Sequence, residues 1–389
     1  MDVREAFSDS LLREWRFLKD NSWDMALVSW IPLLLMAVMA WQFSSGVMRD
    51  LPIAVVDQDG TSVSRKLTQH LEAAPGLRVV AAPENMLGAQ AMIREKKVYA
   101  VVLIPRDIQK KVYQGESAPV VAYFNASYLT AGGAAAREIG SAIGAAGMRL
   151  VVDDIAAIKG PENIRPAPVA VQTTILFNPQ SSYELQLVSL IHPALLHLIF
   201  MVAIISALGR ELRDATIADW LHGSPAQKVA AIGGKIALYL MIFFVWSIAA
   251  LFYISVIRGW SIGGSAAMIL LGSAMMYLAY SGVSLLIVGI SRRMSQSLSA
   301  AGLYAGASFA FAGAIFPIES ASRFAQIWSA LLPYTAYTNL QIEQLSMGAD
   351  ILTSLRHVWI MLAFFIIGSV IGLPAYMNAA DNPKLWRRR

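Results

Sequence analysis

LQLVSLIHPALLHLIFMVAIISAL (185–208) contains no Asp, Glu, Lys or Arg. About 20 mostly apolar residues suffice to cross the hydrocarbon layer of a bilayer, so this run reads as a membrane helix. Four other runs reach that length, at 25–45, 229–256, 266–290 and 357–377. A sixth, 298–316 (LSAAGLYAGASFAFAGAIF), is shorter and rich in Gly, Ala and Ser. Such residues let helix backbones approach closely, so it reads as a span packed on its neighbours, with Gly302, Gly306 and Gly313 serving that packing. The composition agrees: the 389 residues are 56% hydrophobic and only 15% charged, against about 25% charged in soluble domains. Mean hydropathy is +0.53. The expected fold is an α-helical polytopic membrane protein with six transmembrane helices and an inserted α/β extracytoplasmic domain.

Lys and Arg in short loops mark the cytoplasmic side. Arg4, Arg13, Arg16 and Lys19 precede the first span, and Arg210, Arg213 and Lys228 follow the second. Arg292, Arg293, Lys384 and Arg387–Arg389 belong to the same side, whereas the opposite short loops offer Arg258 and Arg323, with Arg356 at a membrane edge. Both termini are therefore expected in the cytoplasm, and six spans give the even count this requires. The formal charge of +5 reads as topology, not as affinity for nucleic acid. The absence of cysteine excludes disulfides, thiolate metal sites and cysteine nucleophiles.

Residues 1–24 carry Val3, Phe7, Leu11, Trp15 and Leu18 at helical spacing with charges between. That pattern predicts an amphipathic helix at the cytoplasmic membrane surface, touching lipid, a partner, or both. Acidic Asp9, Glu14 and Asp20 and a full-length apolar run argue against a cleaved signal. Residues 46–184 have globular composition. Strands are expected at 52–57, 77–82, 98–105 and 118–125, alternating with helices at 62–74, 84–97 and 106–115, then a long Ala/Gly-rich helix over 127–158. Alternation of this kind predicts a compact α/β unit. Asp57 and Asp59 read as a turn, since no further ligands follow at calcium-loop spacing. The tail 378–389 is basic.

Chemistry of its own is not expected in this chain. The phosphate-binding pattern G-x-x-x-x-G-K-[ST] has only a false echo at AAIGGKI (230–236), where Ile236 follows Gly234-Lys235. His192 and His197 lie in the second span with Pro193. Five residues apart, the two imidazoles point about 140° away from each other, which suits no shared metal, and they read as hydrogen-bonded within the bundle. Pro193 is expected to bend the helix. No chain of carboxylates crosses the membrane; Glu184, Glu319 and Glu343 fall near outer ends.

The second span is followed by RELRDATIADWLHGSPAQKV (210–229), a charged interruption. Thr216-Ile-Ala-Asp219 fits a capped helix start. Ile217, Trp220 and Leu221 would share one face, and Gly223 and Pro225 would end the helix. A helix of about two turns is unstable alone in water, so it must dock on lipid, on the bundle or on another protein.

In this order and at these depths, these features resemble the permeases of ABC type 2 exporters, in the branch with a long extracytoplasmic domain. The similarity rests on Glu211, Arg213, Thr216, Ile217, Asp219, Trp220 and Leu221, then Ser224-Pro225, then Gly234-Lys235. It extends to PIAVVDQDGTSVSRKL and VYAVVLIPRDIQKKVYQGESAPVVAYFNAS in the inserted domain. GAIFPIESASRFAQIWSALLPYTAY (313–337) resembles the family's re-entrant helices between spans five and six. Ala215 stands where the family usually has Gly, and Asn125 where it commonly has Asp.

The resemblance implies a dimeric pore of two permeases on two ABC ATPase subunits that bind ATP and Mg. Residues 210–225 would be the coupling helix seated in the ATPase. The leader, through Leu11, Trp15 and Leu18, would be the connecting helix packed beside it. His192, Pro193, Pro317, Glu319 and Pro333 would belong to the pore or to the re-entrant region at 317–337. A periplasmic adaptor could meet the inserted domain, in a bacterial inner membrane, with drugs or other lipophilic compounds as cargo. The chain itself would be no enzyme and hold no metal or cofactor. Two other readings remain open at this point. One is a membrane-anchored receptor or scaffold using the inserted domain, although a receptor rarely needs six spans. The other is an ion-coupled transporter, which the lack of membrane carboxylates disfavours.

Overall fold

Inside a bilayer, backbone amides must be satisfied within their own segment, and the apolar runs of this chain are helical. The computed structural model describes residues 2–114, 116, 119–125, 129–149, 178, 182–314 and 317–386. The chain divides into two compact units: Val47–Ile175, and Met1–Gly46 together with Leu176–Arg389. Among the described residues five helical stretches are long and apolar enough to cross a membrane. They are Ser22–Gln42, Glu184–Arg213, Pro225–Ile257, Ala266–Ser291 and Ile351–Ala380.

Helix α1 (Val3–Asp20) starts in a capping box, with Asp2 as cap and Glu5 accepting from the Asp2 amide at 2.7 Å. The first span follows as α2 (Ser22–Val28) and α3 (Trp30–Gln42), broken at Ser29. Pro32 accounts for part of this break. It has no N–H to give the carbonyl four residues back, and the indole of Trp246 donates to that Val28 oxygen at 2.9 Å instead.

The inserted unit follows its expected alternation: β1 (Leu51–Asp57), α4 (Ser62–Glu72), β2 (Leu77–Ala81), α5 (Met86–Arg94), β3 (Ala100–Ile104), α6 (Ile108–Gln114), β4 (Val121–Phe124) and α7 (Leu129–Arg149). The sheet order is β2-β1-β3-β4, parallel except for the antiparallel β3–β4 pair. Because β1 and β3 are covered on both faces, they read as continuous apolar runs. Val63, Leu67 and Leu71 of α4 pack with Ile53, Val55 and Ile104 in one core. Asp57 caps a turn, its carboxylate accepting from the amides of Asp59 and Gly60. The expected helix tail at 150–158 lies outside the described residues.

In the second unit come α8 (Ser189–Arg213), entered through a π turn at Glu184–Val188, the single turn α9 (Ile217–Trp220), and α10 (Pro225–Phe252). Then follow α11 (Ala266–Ser291), α12 (Met294–Gly306), α13 (Ser308–Phe311), α14 (Arg323–Ala330), α15 (Pro333–Ile342) and α16 (Ile351–Ala380). The expected fifth span at 298–316 begins earlier and is interrupted: α12 has 13 residues and α13 has 4. Residues 315–316 are not described. Among the described residues, nothing lies within 4 Å of a Cβ placed on Gly302 or Gly306, so neither packs closely on them. Gly313 has φ +77° and lies beside Ile318.

Close packing instead joins α11 to α16. A Cβ on Gly368 would sit 2.5 Å from the Gly282 carbonyl carbon, and one on Gly372 would sit 2.6 Å from the Leu286 amide. This is the small-xxx-small contact that helices use where apolar transfer gives no driving force. The Gly-x-x-x-Gly signal at 368–372 was legible in the sequence and was missed. The last helix also runs past the expected end at 377, to Ala380. At the end of the bundle where the chain leaves for the inserted unit, buried Glu184 accepts from Tyr253 at 3.1 Å and pairs with Arg258 at 2.5 Å. Arg258 also donates to the Ser44 carbonyl at 2.8 Å, tying three helix ends together.

Candidate functional site

At the opposite end of the bundle, which bears α1 and the close of α16, charged side chains are buried. They come from α1, from the last turn of α8 and from α10. Lys235 lies at the centre, its Nζ 2.7 Å from Glu14 and 2.6 Å from Glu211. Arg210 donates from one nitrogen to both Glu14 oxygens, at 2.7 and 3.0 Å, and the Tyr239 hydroxyl donates to the same carboxylate at 2.6 Å. Arg13 grips Glu211 with two parallel hydrogen bonds of 2.8 and 3.1 Å. The apolar faces of two rings complete the shell. Lys235 Nζ lies 4.4 Å from the centre of the Trp220 ring, and the Arg210 guanidinium lies 3.3 Å from that of Phe17.

Charges removed from water are tolerated only when paired and hydrogen-bonded. Glu14 meets this condition. Burial pushes its carboxyl up, but the Lys235 ammonium and Arg210 guanidinium outweigh that, so the group is held below the usual carboxylate range. The local sequence makes the approach possible. A Cβ on Gly234 would lie 2.1 Å from the Phe7 carbonyl oxygen, so glycine at this position lets α1 lie directly on α10. Gly234-Lys235, a false echo of a phosphate loop in the sequence, is the contact point of α1 on α10.

Only part of the expected apolar stripe of α1 faces the bundle. Ala6, Ser10, Glu14 and Leu18 are buried, whereas Val3, Phe7, Leu12 and Trp15 are exposed and Leu11 is half-buried. The buried stripe is the small and polar one, because it must approach α10 closely and supply the carboxylate.

The segment expected to be the coupling helix also differs from expectation. Thr216 makes no side-chain cap; its hydroxyl donates to Glu211 at 2.5 Å. The helix is one turn, Ile217–Trp220, in place of two. Ile217, Trp220 and Leu221 do share a face, but that face is buried within this chain. The Trp220 indole donates to Ser10 at 2.8 Å and its ring meets Tyr376 edge-on. Ala215 has φ +59°, the left-handed conformation that costs an alanine roughly 1–2 kcal/mol and that glycine adopts freely. Ser224 and Pro225 do not merely end the segment: they form the cap and first position of α10, in a capping box with Gln227.

What remains exposed is a lip comprising Ala218, Asp219 and residues 222–226, flanked by Arg213, which pairs with Asp214 at 2.8 Å. Beside it, a crevice of about 140 Å³ opens among Arg13, Arg210, Asp214 and Thr216.

The residues expected in the pore or re-entrant region divide. His192 and Pro193 are buried in α8, and Pro333 is the first residue of α15. Pro317 precedes a short 3-10 turn, and Glu319 is exposed. The helix that begins at Pro333 runs past the expected boundary at 337: α15 continues to Ile342 and into a π turn ending at Met347. Pro193 leaves the Ser189 carbonyl without its helical partner, and the side chain of Gln341 donates to that oxygen at 2.5 Å. Tyr334 caps the next carbonyl, Leu190, at 2.7 Å. His197 is stacked between Tyr280 and Tyr334, with centroids 4.6 and 4.7 Å away. The two histidines share no site. Gln341 and Tyr334 were missed in the sequence; an i−4 carbonyl left open by Pro193 is the signal that called for donors.

Residues 23–373 match the family model of the ABC-2 family transporter proteins, and the chain belongs to that family. It is thus a multi-pass membrane protein and the permease component of an ABC transporter, a class that works with an ABC ATPase partner. Comparison with curated proteins and with solved structures finds no match.

Proposed function

We propose that this permease is the membrane-spanning half of an ATP-driven exporter of drugs or other lipophilic compounds in a bacterial inner membrane. Six spans place both termini in the cytoplasm, with the interrupted helix α12–α13 as the fifth. Two copies, or this chain and a sibling permease, form the translocation path, and the ATP and Mg sit on the ATPase subunits. A periplasmic adaptor meets the inserted domain, and the exposed apolar face of α1 rests on membrane lipid.

One observation carries the reading. The lip of Ala218, Asp219 and residues 222–226 stands exposed on a base fixed to α1, α8 and α10 at once through buried Glu14, Glu211 and Lys235. A push on the lip by a closing ATPase pair is thereby delivered to two spans and the connecting helix as a body. Biasing a two-state element requires such differential contacts.

The test is the purified permease–ATPase complex in lipid nanodiscs, carrying Ala218→Glu with Asp219→Arg. The expected result is at least a tenfold fall in transport-coupled ATP turnover, with the thermal midpoint of the permease unchanged. Turnover that stays fully coupled would remove the lip as the ATPase contact.

A further inference from the structure

Between α8, α10, α11 and α15 lies a cavity of about 30 Å³, lined among others by Ser189, His192, Ser247, Ser273 and Gln341. Two polar atoms of its lining residues are buried without a partner: Nδ1 of His192 and Oε1 of Gln341. His192 and Gln341 are 2% and 5% exposed, so bulk solvent cannot satisfy those atoms. Their chemical character follows from the bonds made by the opposite end of each side chain. His192 Nε2 lies 3.1 Å from the Met36 carbonyl. A carbonyl can only accept, so Nε2 carries the proton and Nδ1 of the neutral ring is an acceptor. Gln341 Nε2 donates to the Ser189 carbonyl at 2.5 Å, which fixes the amide orientation and leaves Oε1 as an acceptor too.

Two acceptors cannot satisfy each other. The serine hydroxyls of the lining are already engaged: Ser189 donates to Gln186, Ser273 to Leu270, and Ser247 pairs with Tyr277. An unpaired buried acceptor costs about 1–3 kcal/mol, and a polar cavity above roughly 10–15 Å³ has room for one water.

We infer that this cavity is a binding site for a single water molecule, which donates one hydrogen to His192 Nδ1 and the other to Gln341 Oε1. The water extends a hydrogen-bonded chain that begins at the Met36 carbonyl of the first span and crosses the His192 ring. It continues through Gln341 to the Ser189 carbonyl that Pro193 leaves open. It therefore seats α15 against α8 at Pro193. A purely apolar occupant would leave both acceptors unsatisfied.

The test uses the full chain with its ATPase in lipid nanodiscs. A cryo-EM map at a resolution that shows ordered water should contain an isolated peak within hydrogen-bonding distance of both atoms. In parallel, ¹⁵N-histidine NMR, with the His192 signals identified by their loss in His192→Gln, should show a neutral ring protonated at Nε2 with a hydrogen-bonded Nδ1. An empty cavity, a ring protonated at Nδ1, or His192 and Gln341 turned to bond each other directly would overturn the inference. If His192→Gln does not fold, the map alone decides.

Discussion

Replacing Glu14 by Gln should release α1 from the bundle. The Glu14 side chain is 1% exposed and accepts from Arg210, Lys235 and Tyr239, so solvent cannot take over its role. Without its charge, Arg210 is left with Asp24 at 3.7 Å, while Lys235 keeps Glu211 and the Ala207 carbonyl at 3.4 Å. Removing one partner from a buried ion pair costs about 3–5 kcal/mol, or roughly 150- to 5,000-fold in the docking equilibrium of α1. Lys235→Met should cost less, because Glu14 keeps Arg210 and Glu211 keeps Arg13. Arg13→Gln should cost least, since the Arg13 side chain is 41% exposed and such pairs contribute about 1 kcal/mol or less. Amide hydrogen exchange along α1 in the nanodisc-bound permease reads all three variants on one scale. The reasoning fails if Glu14→Gln leaves protection in α1 within threefold of the parent, or if Arg13→Gln proves the most damaging.

Acid should mimic the Glu14 substitution. Since the folded carboxyl is held low, its contribution is complete above the unfolded value of about 4.3 and drains as pH falls through the depressed folded value. Protection of α1 should accordingly be flat from about pH 6 to 8 and fall below about pH 4, and Glu14→Gln should shrink that acid limb, leaving the part carried by the Glu211–Arg13 pair. Ala215→Gly should stabilise the permease, because relief of the left-handed strain exceeds the added freedom of the unfolded chain by up to about 1 kcal/mol. A higher thermal midpoint for the purified variant checks this, and a lower one would mean that the turn tolerates alanine without strain.

The strands and helices of the inserted unit were legible in the sequence because soluble packing leaves a periodic signature. Val63, Leu67 and Leu71 repeat with the helical turn, and the apolar run at 98–105 marks a doubly covered strand. In α1 the same logic found the apolar face, but not the small and polar stripe of Ala6, Ser10 and Glu14 that packs inside the bundle. Near a bilayer an exposed apolar stripe meets no penalty, so the tighter contact went to Ala6, Ser10 and Glu14, whose small or ionic side chains suit α10. Trp220 and Leu221 were correctly grouped on one face, yet nothing local could tell whether that face met a partner or the chain itself.

Length and composition by themselves determined that the chain is a bundle of membrane helices with an α/β insert. Hydrocarbon admits only segments that satisfy their own backbone, and such segments can be counted in one dimension. Which charges meet was decided only by tertiary structure. Glu14, Glu211 and Lys235 are far apart in sequence and unremarkable singly. They become one buried cluster because Gly234 lets α1 reach α10. The same holds for Pro193, legible as a bend but recognisable as a docking point only once Gln341 and Tyr334 are seen on its open carbonyls.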